Sequence, residues 1–349
     1  MTTRFFDVSA AFLLEEGGTL DNVRVAYRTW GEPRSNATLV CHALTGSADA
    51  DDWWQGLFGP GRVLDPGKSF IVSANVLGSC YGTTGPASTK PERLSPYGPG
   101  FPTVTIRDMV RLQAALLDHL GIDRLDLVIG GSMGGMQVLE WAIEYPERVD
   151  AIVPIGVGPS QSPWSIALSE AQRSAIKGDS RFRGGRYRPE RPPRAGLATA
   201  RQIAMCSYRS PQNFNARFPR NGDLASFDVQ SYLRYQGDKL VDRFDANAYL
   251  TLIAAMDTHD VGRGRGPAAE VLGRVRTPAL VVAISSDVLY PVAEVAALTA
   301  SMGNAELAIL DAPHGHDSFL VETERLNELV VGWLESRVTN REPRVASPR

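Results

Sequence analysis

The 349 residues are enough for one large α/β core carrying a substantial insertion, or for two domains. A hydrophobic content of 43%, a charged content of 21% and a formal net charge of −3 are ordinary for a globular protein. They argue against a nucleic-acid-binding surface, which needs clustered Lys and Arg, but leave room for a local basic pocket facing an anionic substrate.

Three scattered cysteines, Cys41, Cys80 and Cys206, form neither a disulfide framework nor a zinc-type CxxC pair, which suits a reducing cytoplasm. The opening MTTRFFDVSAAFLLEEGG turns acidic too early for a signal peptide. No apolar run reaches the roughly 18 residues of a membrane span, so no membrane partner is expected.

In chain order, VRVAYRT (23–29), ATLVCHAL (37–44) and SFIVSANVL (69–77) read as strands. A Gly/Pro/Ser/Thr-rich connection runs from Gly78 to Pro102. A helix follows over 104–122, with Gly121 as a stop signal. LDLVIGG (125–131) is a short buried strand, MGGMQVLEWAIEYP (133–146) a helix stopped by Pro146, and VDAIVPIGV (149–157) another strand. Such alternation implies a mostly parallel, twisted sheet with helices on both faces.

From Ser160 to Gly266 the strand signal disappears and helical patterns replace it: WSIALSEAQRSAI, GLATARQIAMCSY, LASFDVQSYLRYQGDKLVDRF and ANAYLTLIAAMDT. A basic Pro/Gly stretch, RFRGGRYRPERPPR (181–194), interrupts them. The α/β pattern then resumes with strands 277–284 and 305–310, a helix over 292–302 and a final helix from Ser318 to Ser336. We therefore divide the chain into core 1–159, a helical cap 160–266, core 267–338 and a flexible tail 339–349.

Gly130-Gly131-Ser132-Met133-Gly134 matches G-x-S-x-G between a strand and a helix, the nucleophile elbow of the α/β-hydrolase fold. So sharp a turn strains the serine backbone and needs small residues two positions either side. A serine nucleophile needs a base, and the base an orienting acid, in the chain order Ser, acid, His. Asp287 follows strand 277–284, and HGHDSF follows strand 305–310. Asp311 competes as the acid but follows the wrong strand; His314 competes with His316 as the base. His42, His119 and His259 lack a matching context and read as structural. The developing oxyanion needs two donors. The amide after the nucleophile, Met133, is one; the turn in HALTG offers Leu44 or Thr45 as the other.

The ordered series HALTG, DWWQGLFGPGRVLDP, NVLGSCYGTTGPAS, FPTVTIRDMVRLQ, GGSMGGMQVLEWA and HGHDSFL closely resembles the homoserine O-acetyltransferase family of the α/β-hydrolase superfamily, over about Asp21 to Trp333. The resemblance implies a triad of Ser132, Asp287 and His316 and a ping-pong reaction in methionine biosynthesis. Ser132 would take an acetyl group from acetyl-CoA and pass it to the hydroxyl of L-homoserine. It implies that Arg201 and Tyr208, seven residues apart in the cap, face the amino acid, and that Asp317 holds its ammonium. It also implies a homodimer formed through cap helices.

Two features depart from the family pattern: Gly78-Ser79-Cys80, where many relatives have two glycines before the cysteine, and the basic stretch 181–194. Succinyl-CoA as donor, serine as acceptor, and an esterase or thioesterase using the same triad are the alternatives. No cofactor beyond the CoA thioester is expected. No metal is expected either, because the histidines do not pair with Cys or carboxylates at ligand spacing.

Overall fold

The computed structural model describes residues 2–90, 95–220 and 227–339, with side chains to 337. The expected tail, 339–349, lies almost wholly outside the described residues.

Ten strands are found among these residues: β1 Arg4–Asp7, β2 Phe12–Leu13, β3 Thr19–Leu20, β4 Arg24–Trp30, β5 Asn36–Cys41, β6 Ile71–Ala74, β7 Arg124–Gly131, β8 Ile152–Ile155, β9 Ala279–Ile284 and β10 Ala305–Leu310. Eight of them form one sheet in the order β1-β4-β6-β5-β7-β8-β9-β10. From β6 to β10 the neighbours are parallel; β1 and β4 run antiparallel at one edge. The short strand β1 and the β2–β3 hairpin had no strand signal in the sequence.

The parallel strands read as apolar runs because both faces are covered. In β5, Leu39 packs on one side and Val40 on the other; in β7, Val128 and Ile129 divide in the same way. One face lies under helices α2 (Ile106–His119) and α3 (Met133–Glu144). The other holds the short α1 (Ala50–Trp53) and Trp54, together with α11 (Ser318–Val321) and α12 (Thr323–Thr339). The expected single C-terminal helix is thus two, broken at Glu322. Helix α2 opens on a capping box, Thr105 with Asp108, and Gly121 follows its end at φ 69°, one residue past the C-cap Leu120.

Between β8 and β9 the described chain is helical. It comprises α4 (Pro163–Gly178), α5 (Arg194–Tyr208), α6 (Pro211–Arg217), α7 (Asp228–Val241), α8 (Ala246–Asp257) and α9 (Ala268–Gly273). Helix α10 (Val292–Ser301) then packs between β9 and β10. Helices α4, α5, α7 and α8 match the four helical patterns of the sequence; α6 and α9 are too short to have shown a period. The loop that closes this region is bolted to the core by buried charges. Arg107 bonds Glu15 at 2.6 Å and Glu140 at 3.2 Å, and Arg265 bonds Glu140 at 2.7 Å.

Candidate active site

Ser132 sits at the end of β7 with φ 58° and ψ −125°, a conformation that a residue with a Cβ disfavours. The neighbouring glycines make this turn sterically possible. A Cβ on Gly130 would lie 2.7 Å from the Cys41 carbonyl oxygen, and one on Gly134 would lie 2.2 Å from the same atom. A Cβ on Gly131 would meet the Phe319 ring at 2.6 Å. The three glycines therefore let β5, the elbow and α11 approach each other closely. Ser132 is 6% exposed, and its own amide donates to Ile155 O at 2.9 Å.

Asp287 lies in the loop after β9. Its Oδ1 accepts from the amides of Leu289 (2.8 Å) and Tyr290 (3.0 Å), and its Oδ2 lies 2.7 Å from His316 Nδ1. Two backbone donors thus hold one oxygen and aim the other at the imidazole. His316 is buried, and among the described residues its Nε2 bonds to no protein atom, the Ser132 hydroxyl included. Burial pushes the His316 pKa down, but the negative charges of Asp287 and Asp317 outweigh it and leave the pKa above 6.5. Three aromatic rings flank the imidazole: Tyr290 at 5.4 Å, Phe319 at 5.7 Å and Tyr208 at 5.9 Å between centroids.

The competing residues sit elsewhere. His314 bonds Asn213 and Glu322, and Asp311 accepts from Ser285 at 2.8 Å. His42 is buried, with Nδ1 against Ala43 O and Nε2 accepting from the Val76 amide; burial lowers its pKa to about 4. Burial, with Arg107, Arg263 and Arg265 nearby, takes His259 down to about 3. His119 stacks on Phe6 at 4.3 Å.

Among the described residues, the amides of Leu44 and Thr45 donate to no protein acceptor. Met133 opens α3, where a helix N-terminus leaves its N–H without an intrahelical partner. The Thr45 carbonyl is held from above by Arg243 Nη1 at 2.8 Å, and the same guanidinium bonds the Tyr81 hydroxyl.

The cap reaches the histidine loop at the end of α5. A Cβ on Gly315 would lie 2.5 Å from the Ser210 amide nitrogen, and the Ser210 hydroxyl donates to Pro313 O at 2.5 Å. This contact brings Tyr208 to His316 and stacks the Arg201 guanidinium on the Tyr208 ring at 5.4 Å. Asp317 faces Arg209, with Nε and Oδ2 3.2 Å apart: close enough for charge pairing but not aligned as a hydrogen bond. Burial raises the Asp317 pKa, opposed by Arg209, Arg201 and His316.

Sequence reasoning did not single out Tyr290, Arg209, Arg243 or Tyr81. The first two had a signal: Tyr290 is three residues after the acid, and Arg209 directly follows Tyr208. Among the described residues no group of three or more His, Cys, Asp or Glu could hold a metal. A cavity of about 730 Å³ lies beside α4 and α8 and is lined by none of Ser132, Asp287 or His316.

The alpha/beta hydrolase fold family matches residues 37–323. The chain is 54% identical over 339 residues to a homoserine O-acetyltransferase of Trichormus variabilis, covering 96% of this chain and 94% of that one. Among solved structures, it is similar to a homoserine O-acetyltransferase from Bacillus anthracis, with a TM-score of 0.89, 25% identity and 98% of each chain covered. It is also similar to esterase E22, with a TM-score of 0.88, 26% identity, and 95% of this chain and 99% of that one covered. The chain belongs to the homoserine O-acetyltransferase family, a family of acyltransferases built on the α/β-hydrolase fold.

Proposed function

We propose that the protein moves an acetyl group from acetyl-CoA to the hydroxyl of L-homoserine through an acetyl-serine intermediate, as a cytoplasmic step of methionine biosynthesis. What carries the reading is the pairing of an amino-acid-like charge set, Arg201 and Asp317, with the imidazole of His316. A guanidinium suits a carboxylate and a carboxylate suits an ammonium; Asp317 directly follows the candidate base, and Arg201 stacks on Tyr208, whose ring flanks that base.

In this reading His316 Nε2 takes the Ser132 proton as the oxygen attacks the thioester carbonyl, and Asp287 steadies the imidazolium. The amides of Met133 and of Leu44 or Thr45 receive the oxyanion. As the tetrahedral adduct collapses, the C–S bond breaks and the sulfur takes the proton from His316. The homoserine hydroxyl then attacks the acetyl-serine and loses its proton to the same nitrogen. Collapse breaks the ester bond to Ser132, returns the proton to Ser132 and releases O-acetylhomoserine. Arg201 and Tyr208 fix the substrate carboxylate. Asp317 binds its ammonium, which therefore competes with Arg209 for that carboxylate. A homodimer formed through the cap accompanies this reading; Tyr235 on α7, 59% exposed, is a residue such a contact would cover.

The deciding assay offers acetyl-, propionyl- and succinyl-CoA against L-homoserine, L-serine and water. CoA release that depends on homoserine and is fastest with acetyl-CoA is the expected result. Equal release with water alone would instead favour an ester hydrolase, the reading supported by the likeness to esterase E22.

A further inference from the structure

The geometry points to a second ligand site on the cap, outside the serine–histidine centre: an arginine cradle for the phosphates of a nucleotide. Arg181, Arg183, Arg188 and Arg191 line a cavity of about 690 Å³ together with Tyr187. Its volume is that of a small-molecule site. No residue of the triad lines it.

Three observations carry the assignment. The first is charge. Among the described residues, none of these four arginines, nor the adjacent Arg186, forms an ion pair, and none of their side chains donates a hydrogen bond to a protein acceptor. Elsewhere the chain pairs its arginines readily: Arg107 and Arg265 each meet two carboxylates, and Arg194, the last residue of the stretch and outside the cavity lining, bonds Asp242 at 2.7 Å. Glu190 is the one acid within 181–194, and it does not line the cavity. Like charges lining one cavity repel one another, and an anion bound between them would relieve that repulsion.

The second observation is rigidity. Phe182 is buried in the main core, between two lining arginines. The Gly185 carbonyl accepts from Asn247 Nδ2 at 2.8 Å, and a Cβ on Gly185 would collide with Asn247 and Pro99. The Tyr187 hydroxyl donates to Asp245 Oδ2 at 2.5 Å and accepts from the Asn247 amide at 2.9 Å. The ring is thereby fixed as a wall, and the arginines project from a segment anchored on α8. Arg183 itself has φ 51°, a left-handed backbone otherwise left mostly to glycine.

The third is chemistry. Guanidinium forks match phosphate oxygens two at a time, and an aromatic wall beside them offers a face to a base. A pyrophosphate-bearing nucleotide satisfies all three. One such ligand is the 3′-phospho-ADP end of an acyl-CoA, a source that rests on the acyltransferase reading. The other is a free nucleotide acting as an effector, which does not.

The test is isothermal titration of the full chain with 3′-phospho-ADP, ATP and inorganic pyrophosphate at about 0.15 M salt, where surface fields are already screened. The wild type is compared with R183Q/R188Q/R191Q and with the matching lysine triple variant, circular dichroism confirming that each is folded. The wild type should bind at least one nucleotide and bind it more weakly as salt rises. The glutamine variant should bind at least about tenfold more weakly, and the lysine variant in between. No binding, equal binding by all three proteins, or tight binding of a short RNA with none of the nucleotides would overturn the proposal.

Kinetics then separate the sources. If the ligand is the acyl donor's nucleotide end, the glutamine variant raises the KM for acetyl-CoA at unchanged kcat and leaves acetyl-pantetheine unaffected. If nucleotide binding is lost while both KM values hold, the ligand is a free nucleotide. Should the chain transfer no acyl group to homoserine, the titrations still decide the cradle.

Discussion

The elbow and the cap meet at one imidazole but are built on different physics. Around Ser132 the backbone dictates the arrangement: a left-handed serine, glycines whose Cβ atoms would strike Cys41 and Phe319, and an Asp287 carboxylate held by two amides. At the cap, side chains on helices dictate it: Arg201 stacked on Tyr208, and Arg209 beside Asp317. The contrast teaches that the elbow tolerates little change, whereas the cap surface, which the proposed function assigns to the acceptor, can be altered without disturbing Ser132.

That division can be broken by substitution, with the largest effect at the elbow. Ser132→Ala should lower kcat on the order of 10⁶-fold and abolish the acetyl adduct seen by intact-mass spectrometry after exposure to acetyl-CoA. An adduct that persists would move the nucleophile elsewhere. Asp287→Asn should cost about 10⁴-fold in kcat, since the imidazole loses both its orientation and its counter-charge.

Gly134→Ala tests the backbone side of the comparison. Its methyl would have to displace the Cys41 carbonyl, and we expect a loss of about 3 kcal/mol in chemical denaturation. A variant as stable as the parent would show that the elbow is looser than its geometry.

Cap-side changes should be smaller and confined to the acceptor. Arg201→Ala or Asp317→Asn should raise the KM for homoserine roughly 10- to 100-fold while leaving acetyl-serine formation within a few-fold of normal. Loss of the acyl-enzyme step in either variant would erase the distinction between the two regions.

The pH profile gives the mildest effect. In the proposed mechanism His316 must be neutral to accept a proton, so activity should fall as pH drops. Because Asp287 and Asp317 raise its pKa, the acid limb should have its midpoint above 6.5. Asp287→Asn removes the largest opposing charge and should move that midpoint to lower pH. The same raised pKa makes the His316–Asp287 pair stabilise the fold fully below about pH 6.5, a contribution lost as pH rises through the folded value.

Much of this was written locally. The parallel strands announced themselves as apolar runs, and Ser132 by the glycines around it, because a short-range steric constraint leaves a short-range signature. β1 and the β2–β3 hairpin did not, since strands of two to four half-exposed residues carry too little period to register.

The sequence by itself determined the alternation of strands and helices, the elbow and the order of the triad candidates, because each depends on residues within a few positions of one another. Only the tertiary structure decided which histidine faces Asp287, since His314 and His316 differ by two residues and point to different partners. It alone also packed Tyr290 and Phe319 against the ring, set Arg209 against Asp317 and, among the described residues, left the cradle arginines without carboxylates. The widest of those contacts, Arg209 with Asp317, joins residues 108 positions apart, and no local preference encodes which distant surfaces will touch.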